Sequence, residues 1–280
     1  MAEKIAVLSD IHGNLTALEA VVKDLEQKQV TEVWILGDLL MPGPGTAEIC
    51  QLLRSLEPTV FLRGNWDDLL LKGAQKKIPL TKPSYIYFTR LAQFTAARLE
   101  HKDLLWLKNA PLHMVKKVGP LKFSLSHNLP DLNYGQKLYP TNAQADFDEV
   151  LAGRDADVAL YGHVHHQLLR YTTAEQLILN PGSIGEPFCD HPKLQADLRA
   201  QYLLLEVDEN GLSQISFQKV AYDHEQEAHL AQAKGLPYLE LYQEMLMTGK
   251  VHTHDQARLQ ELTKHYDYLT DIQSNNKLLF

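Results

Sequence analysis

The fold of this chain is decided by the stretch KIAVLSDIHGN, residues 4–14. Its apolar start, Lys4 to Leu8, is typical of a buried strand. The segment from Asn14 to Gln27 carries apolar residues at helical spacing, and Val33 to Leu36 has the pattern of a second strand. Strand, helix and strand in this order predict a βαβ unit. The polar residues after Leu8 therefore lie where a strand ends, which is where α/β proteins usually bind ligands.

The rest of the chain first continues this α/β pattern and then changes to strands. We predict a helix over Thr46 to Leu56, a strand over Thr59 to Leu62, and mostly helical structure over residues 67–110, interrupted by Pro79 and Pro83. Further strands are predicted at Met114 to Val118, Leu121 to Ser126, Asp157 to Tyr161, Gln176 to Leu179, Tyr202 to Val207 and Gln214 to Val220. The turn residues Asp208 to Gly211 indicate a hairpin between the last two. We expect two mixed sheets that face each other.

The tail from Asp223 to Phe280 differs from the preceding sequence. It is polar, and its apolar positions fit short helices that are separated by Gly235-Leu-Pro237 and by Thr248-Gly249. We therefore predict an α/β domain over residues 1–222 and a helical C-terminal extension over residues 223–280, packed on the same domain. The tail helices are also a candidate surface for a homo-oligomer.

Composition excludes several classes of protein. The 280 residues include 35 acidic and 27 basic side chains, for a net charge of −8, and no basic block is present. Binding to extended nucleic acid, as by a DNA nuclease, is therefore disfavoured. Only Cys50 and Cys189 are present, so a disulfide framework is not supported. We find no leader-like start and no apolar segment of membrane length, and we expect a cytoplasmic protein without a membrane partner.

Side chains that can bind metal follow five strand-like runs. They are Asp10 and His12, Asp38, Asn65, His127, and His163 with His165. Carboxylate, amide and imidazole ligands suit Mn, Fe, Zn or Ni better than Ca or Mg, and the lack of cysteine argues against a structural zinc site. Two ions about 3.5–4 Å apart can share a carboxylate and activate water. Asp38 is the candidate bridge, because the single amide oxygen of Asn65 serves only one ion well.

Residues beside these groups have two interpretations each. Asn14 either caps the helix that it opens or directs its amide to a substrate phosphate at that helix N-terminus. Arg63 either pairs with phosphate or is an exposed arginine at a strand end. Taken singly, Asp10 and Asp38 are plausible caps as well. Their common placement after predicted strands favours metal binding for the set.

The order of these motifs resembles the calcineurin-like metallophosphoesterase superfamily, and within it the small prokaryotic phosphodiesterase branch. The blocks are Asp10-Ile-His12-Gly13-Asn14, Gly37-Asp38, Gly64-Asn65-Trp66-Asp67, Leu125-Ser-His127, Gly162-His163-Val164-His165 and Asn180-Pro-Gly182-Ser183. The resemblance implies a four-layer α/β/β/α sandwich. It also implies one ion held by Asp10, His12, Asp38 and His165, and another held by Asp38, Asn65, His127 and His163.

This chain departs from the family pattern at two positions. The third block often has a histidine that protonates the leaving group, and Trp66 stands in its place. The fourth block often reads His-Gly, and here Asn128 follows His127. Without a positioned acid, hydrolysis of a substrate with a poor leaving group is slower by roughly 10²–10⁴-fold. The missing acid can be accommodated in three ways: the substrate has a good leaving group, another residue such as His166 or His191 donates the proton, or the site binds its ligand without fast turnover. Trp66 can instead offer its ring face to a nucleobase or an aryl group of the substrate. Asn128 can add its amide group to the rim of the substrate pocket.

We therefore predict a dinuclear metal-dependent phosphoesterase. It acts on a small phosphoester, such as a nucleotide, by attack of a hydroxide that bridges two divalent ions. We expect Mn²⁺, with Fe, Zn or Ni as alternatives. The catalytic residues are Asn65, Asp38 and His127, and the substrate-binding residues are Asn14, Trp66, Arg63 and Asn128. A phosphodiester is favoured over a monoester because the acid at position 66 is missing. The alternatives are a phosphomonoesterase and a non-catalytic protein-binding scaffold with the same fold.

Overall fold

The computed structural model describes residues 2–189, 191, 193–195 and 197–274. Its strands are β1 (Glu3–Leu8), β2 (Glu32–Ile35), β3 (Val60–Phe61), β4 (His113–Val118), β5 (Leu121–Ser126), β6 (Val158–Leu160), β7 (Gln167–Tyr171), β8 (Leu177–Pro181), β9 (Ala200–Asp208) and β10 (Gly211–Val220). Its helices are α1 (Leu15–Lys28), α2 (Ala47–Ser55), α3 (Asn65–Ala74), α4 (Pro83–Ala96), α5 (His101–Asn109), α6 (Gln144–Leu151), α7 (His224–Ala233), α8 (Leu239–Thr248), α9 (Gln256–His265) and α10 (Tyr268–Ser274).

The strands form two mixed sheets of five strands each. The first sheet has the order β10-β9-β1-β2-β3, and the second has the order β4-β5-β6-β8-β7. In the first sheet β1, β2 and β3 are parallel, β9 runs antiparallel to β1, and β10 runs antiparallel to β9. In the second sheet β5, β6 and β8 are parallel, and β4 and β7 run antiparallel at the edges. The predicted pair of mixed sheets is confirmed.

Alternating side chains divide the core into layers. Ile5 and Val7 of β1 belong to a buried cluster that also contains Phe123 of β5, so this cluster lies between the two sheets. Leu8 points to the other face of the first sheet, where helices cover it. On the outer face of the second sheet, Phe147 of α6 joins the core. The order helix, sheet, sheet, helix confirms the α/β/β/α sandwich that the resemblance implies.

Two elements of the second half were not predicted. Strand β7 is an edge strand whose residues are partly or largely exposed, so it lacks the apolar run that marks β6 and β8. Helix α6 is only eight residues long and buries Phe147, Val150 and Leu151. The hairpin at Asp208 to Gly211 is confirmed, because these two residues pair across a two-residue turn.

The tail forms the helices α7 to α10, as its periodicity indicates. Tyr238 packs edge-on against Tyr87 of α4, with ring centroids 4.8 Å apart. Fully buried Glu227 of α7 accepts hydrogen bonds from the backbone N–H and hydroxyl of Thr16, and from the Tyr242 hydroxyl. These contacts tie the tail to α1 and α4. The domain division at residue 222 stays a prediction, and residues 275–280 lie outside the described part of the chain.

Removing the Glu227 carboxylate is expected to destabilise the whole protein, not only the tail. Glu227→Ala leaves the buried donors of Thr16 and Tyr242 without their acceptor. We expect the free energy of unfolding to fall by about 2–4 kcal/mol, measured by urea unfolding. The matched control is Glu225→Ala, an exposed residue of the same helix, which is expected to change stability by less than about 0.5 kcal/mol. Equal stabilities of the two variants would contradict this role of Glu227.

Among the described residues, no helix is both long enough and apolar enough to span a lipid bilayer. The cellular compartment stays a prediction.

Candidate metal centre

The predicted metal ligands come together at the ends of five strands, β1, β2, β3, β5 and β6. One group contains Asp10, His12 and His165, and the other contains Asp38, His127 and His163. Within each group the ligand atoms lie within 4.8 Å of one another. The amide oxygen of Asn65 lies 3.1 Å from Nε2 of His127 and so joins the second group. Parallel strands bring their carboxyl ends to one edge, which explains the convergence.

Each of the four histidines is oriented by a backbone carbonyl. The pairs are His12 Nδ1 with Met41 O at 2.7 Å, His127 Nδ1 with Leu36 O at 2.8 Å, His165 Nδ1 with Glu186 O at 2.7 Å, and His163 Nε2 with Gly135 O at 3.0 Å. A carbonyl only accepts hydrogen bonds, so the ring nitrogen that faces it carries the hydrogen. The opposite nitrogen of a neutral ring is then free to bind a cation, which is the arrangement found in metal-binding histidines.

The free atoms inside the cluster are acceptors that face one another. Nε2 of His12 lies 3.1 Å from Nε2 of His165, and the Asn65 oxygen lies 3.1 Å from Nε2 of His127. Oδ1 of Asp10 is buried and accepts no hydrogen bond from the described residues. Opposed lone pairs in a buried site are costly unless a cation or a proton lies between them. The donor set therefore fits divalent metal ions.

The two carboxylates each use one oxygen for support and turn the other inward. Asp10 Oδ2 accepts hydrogen bonds from the Ser9 hydroxyl and, at 3.0 Å, from the backbone N–H of His163. Asp38 Oδ1 accepts a 2.8 Å hydrogen bond from the backbone N–H of Trp66. The inward Asp38 Oδ2 lies 3.2 Å from His127 Nε2 and 3.7 Å from His12 Nε2. Asp38 thus faces histidines of both groups, as a bridging ligand would.

The electrostatic field around His12 and His127 favours positive charge. Burial lowers the pKa of His12, but the carboxylates of Glu186, Asp10 and Asp38 outweigh it and raise that pKa to about 10. Burial likewise lowers the pKa of His127, yet Asp38 and Asp10 raise it to about 9. Cations that bind here must therefore displace protons from these rings, so binding weakens as the pH falls.

The backbone of the cluster is strained. Five of the seven predicted ligands have positive φ angles: Asp10 (55°), His12 (52°), Asp38 (55°), His163 (66°) and His165 (54°). Residues with a Cβ rarely adopt this left-handed conformation, and it costs roughly 1–2 kcal/mol for each residue. Such strain is typical of functional sites, because the fold supplies the energy that holds the side chains in place.

The glycines of the motifs make room for the two carboxylates. A Cβ on Gly64 would lie 2.0 Å from Asp38 Oδ1. A Cβ on Gly162 would lie 2.0 Å from Ser9 Oγ and 2.7 Å from Asp10 Oδ2. These two positions accept glycine alone without displacing a predicted ligand or its support.

Two predicted substrate contacts, Asn14 and Arg63, are engaged within the protein. Asn14 is fully buried and caps α1 by accepting the Ala17 N–H, while its amide donates to the Tyr222 hydroxyl at 3.1 Å. Arg63 forms a 2.8 Å ion pair with Asp68. These bonds agree with the structural interpretation of both residues. Their roles in substrate binding stay predictions.

The other two, Trp66 and Asn128, also have protein partners. Trp66 is 8% exposed, and its ring packs edge-on against His12 at 5.4 Å and against Phe88 at 5.3 Å. Phe88 also lines an open groove of about 850 Å³ between α4 and α9. Asn128 is fully buried, and its amide donates to the carbonyl of Tyr134 at 2.8 Å. Their substrate contacts likewise stay predictions.

Two buried carboxylates near the cluster were not assigned a role from sequence. Asp67 accepts hydrogen bonds from the N–H groups of Gly64, Asp38 and Leu39, and so holds the turn that carries Asp38. Burial and the neighbouring Asp38 raise the pKa of Asp67 to about 6. Asp67 stands three residues after Gly64 and accepts its backbone N–H, which is the half of a capping box that a glycine at the N-cap allows. No comparable signal marks Glu186, which is 4% exposed and raises the pKa of His12.

Comparison with known families gives a match over most of the chain. A model of the calcineurin-like phosphoesterase superfamily domain matches residues 4–210. This range contains all seven predicted metal ligands and both sheets up to the β9–β10 hairpin.

Similar curated proteins include one of unknown activity and several tetraphosphatases. An uncharacterized protein of Methanocaldococcus jannaschii is 25% identical over 203 residues, which cover 65% of this chain and 76% of that protein. The symmetrical bis(5'-nucleosyl)-tetraphosphatase of Serratia proteamaculans is 26% identical over 122 residues, or 43% of this chain and 41% of that protein. That of Klebsiella pneumoniae is 31% identical over 110 residues, or 39% and 38%. The chain thus spans about two fifths of these tetraphosphatases.

Similar solved structures share the fold. A metallophosphoesterase from Sphaerobacter thermophilus has a TM-score of 0.67 at 24% identity and covers 88% of this chain and 100% of its own. A hypothetical protein from Pyrococcus horikoshii has a TM-score of 0.72 at 22% identity, with 89% and 99% covered.

Proposed function

The chain belongs to the calcineurin-like phosphoesterase superfamily, and from that premise we propose that it hydrolyses phosphodiesters with two divalent metal ions. The observation that carries the proposal is the cluster of inward acceptor atoms. Four histidines present one nitrogen each, Asp10 and Asp38 present one oxygen each, and the carbonyl-bound sides of the rings hold them in this orientation. A buried set of this kind is costly to a protein without a cation.

The ligands divide between the two ions. Asp10, His12 and His165 would hold one ion, and Asn65, His127 and His163 the other. Asp38 would serve both, because its Oδ2 faces His12 and His127. When bound, such ions supply Lewis-acid activation of water and neutralise charge on phosphate oxygens. We favour Mn²⁺, since the mixed oxygen and imidazole set suits it, with Fe, Zn or Ni as alternatives.

The residue at position 66 bears on the kind of leaving group that the site can release. Hydrolysis joins a water oxygen to phosphorus and breaks the bond from phosphorus to the ester oxygen, which needs a proton as it leaves unless it is stable as an anion. The motif position of the usual donor is occupied by Trp66, whose ring is packed between His12 and Phe88. An indole has no proton of suitable acidity to transfer. A substrate whose leaving group departs without protonation is therefore favoured, and this supports a diester with a good leaving group.

A nucleotide is the favoured organic part of the substrate. The relatives named bis(5'-nucleosyl)-tetraphosphatases support this assignment. The groove beside Phe88 supports it as well, because Tyr85 and Phe88 line it together with the amide side chains of Gln256 and Gln260. Aromatic rings and amides are the groups that bind a flat base and its polar edge.

The test is a comparison of four esters with the Mn²⁺-loaded protein. We expect kcat/KM to be highest for the two diesters, bis(p-nitrophenyl) phosphate and thymidine 5'-(p-nitrophenyl phosphate), with the lower KM for the nucleotide. The monoester p-nitrophenyl phosphate should be slower. Glycerol 2-phosphate, an alkyl monoester, should be slower than the aryl monoester by about 10²–10⁴-fold, because it depends most on a proton donor.

Other outcomes identify the alternatives. Rapid hydrolysis of glycerol 2-phosphate would contradict the missing-donor argument and favour a phosphomonoesterase. Equal KM values for the two diesters would remove the nucleotide from the proposal. No hydrolysis of any ester by the metal-loaded protein would favour a non-catalytic scaffold.

A further inference from the structure

The loop of residues 129–142, which joins β5 to α6, contributes to the metal cluster through one carbonyl. Gly135 O accepts the hydrogen bond from His163 Nε2 at 3.0 Å, which leaves Nδ1 of that ring free for a cation. The carbonyls that orient the other three histidines belong to buried residues, Leu36, Met41 and Glu186. Gly135 instead follows Tyr134, which is 58% exposed. Of the four rings, His163 is therefore the one whose orientation depends on a surface loop.

Asn128 holds this loop at the point where it meets His163. Its side chain is fully buried, and Nδ2 donates to Tyr134 O at 2.8 Å and to Gly135 O at 3.3 Å. The Gly135 carbonyl thus accepts hydrogen bonds from Asn128 and from His163 together. Oδ1 of Asn128 is buried and has no hydrogen-bond partner among the described residues. The contacts of this side chain with the loop are therefore made by its Nδ2 donor.

A second set of contacts fixes the loop from the other side. Asn133 Nδ2 donates to Asp68 Oδ2 at 3.1 Å, and the same carboxylate pairs with Arg63 at 2.8 Å. Arg63 follows β3, so this set ties the loop to the first sheet. Asn128 follows β5, so its contacts tie the loop to the second sheet. The loop therefore spans the two sheets beside the cluster.

We propose that Asn128 is a positioning residue for the metal ion bound by Asp38, Asn65, His127 and His163. By clamping Gly135, it keeps the hydrogen of His163 on Nε2 and turns Nδ1 towards the ion. Occupancy of this second ion is then coupled to the conformation of the 129–142 loop, whereas the ion held by Asp10, His12 and His165 has no histidine ligand that this loop orients. This inference rests on the proposed two-ion function.

The test is a metal titration of the Asn128→Leu variant. Leucine has nearly the same size and carries no charge, so it removes the amide donor without adding a polar group to the buried site. Metal-free protein is titrated with Mn²⁺ by calorimetry. We expect the affinity for one ion to fall by about 10–100-fold, the usual effect of losing a partner that orients a ligand, and the affinity for the other to stay unchanged. Asn128→Ala repeats the test with a smaller side chain if leucine is not accommodated.

The matched control is Asn142→Leu in the same loop. Asn142 Nδ2 donates to the carbonyls of Gln136 at 2.7 Å and Lys137 at 3.1 Å, so this variant loses the same kind of bonds without loss of the clamp on Gly135. We expect it to bind both ions as the wild type does. Long-range ¹H–¹⁵N spectra of the metal-free proteins give a second readout. The His163 ring should carry its hydrogen on Nε2 in the wild type and in Asn142→Leu, and should lose this preference in Asn128→Leu.

Three results would overturn the inference, and they are distinguishable. Wild-type affinity of Asn128→Leu for both ions would show that the clamp has no effect on the ion. Equal weakening by Asn142→Leu would assign the effect to the loop in general. A wild-type protein that binds fewer than two ions would contradict the proposed function itself, and the inference with it.

Discussion

Asp38→Asn is expected to lower kcat/KM for hydrolysis of bis(p-nitrophenyl) phosphate on the order of 10³-fold or more. The asparagine amide oxygen can still accept the hydrogen bond from the backbone N–H of Trp66, so the local backbone conformation is retained. It replaces the inward oxygen, which lies 3.2 Å from His127 Nε2 and 3.7 Å from His12 Nε2, by a neutral amide. The carboxylate that is proposed to bind both ions is thereby lost. Metal-ion stabilisation of the transition state is worth several kcal/mol, which corresponds to about three powers of ten in rate.

The matched control for this variant is Asp155→Asn. Asp155 has a side chain that is 88% exposed and pairs with Lys122 at the surface. We expect its activity to equal that of the wild type within about twofold. Bound Mn²⁺ is measured in the same samples, and Asp38→Asn should retain fewer ions per chain. An Asp38→Asn variant that hydrolyses the diester at the wild-type rate would contradict the role of Asp38 as a shared ligand.

Removal of divalent metal with a chelator is expected to abolish hydrolysis and to lower the melting temperature. Without cations, the acceptor pairs His12 with His165 and Asn65 with His127 remain opposed in a buried site. Ions that bind only the folded state stabilise it by about 2.7 kcal/mol at a concentration of 100 times Kd. Re-addition of Mn²⁺ should restore both the rate and the melting temperature, measured by thermal unfolding.

The variants provide the control for metal removal. Asp38→Asn should gain less thermal stability from Mn²⁺ than the wild type, whereas Asp155→Asn should gain as much. A metal-free protein with the same melting temperature as the metal-loaded protein, and with full diester hydrolysis, would contradict the account.

The fold was predictable wherever a strand is buried on both faces. Strand β1 has a continuous apolar run because Ile5 and Val7 face the space between the sheets and Leu8 faces the helices. Edge strand β7 has no such run, because its residues are partly or largely exposed. Its pairing with β8 is decided by the completed sheet rather than by its own pattern. The same limit applies to α6, whose short apolar stripe has meaning only against the second sheet.

The convergence of the candidate metal ligands was predictable because several motifs agree, but the contacts of the surrounding residues were not. A carboxylate or imidazole after each of several parallel strands has to converge with the others. A single polar residue beside such a cluster can bind either a substrate or the protein's own backbone. Asn14 caps the helix that it opens, which was one of its two interpretations from sequence, and Asn128 binds the carbonyl of Tyr134, six residues further along the chain. Asn14 also donates to the Tyr222 hydroxyl, 208 residues away, and this partner is brought near only by folding, so the spacing of the motifs contains no information about it.

The most direct test of the central claim is the rate of bis(p-nitrophenyl) phosphate hydrolysis measured against bound Mn²⁺, as the ion is titrated into metal-free protein. Two ions per chain are proposed, with Asp38 shared between them. We expect the rate to rise until two ions are bound per chain and to stay level beyond that ratio. Full activity with no ion or with one ion per chain, or no hydrolysis when two are bound, would contradict the account.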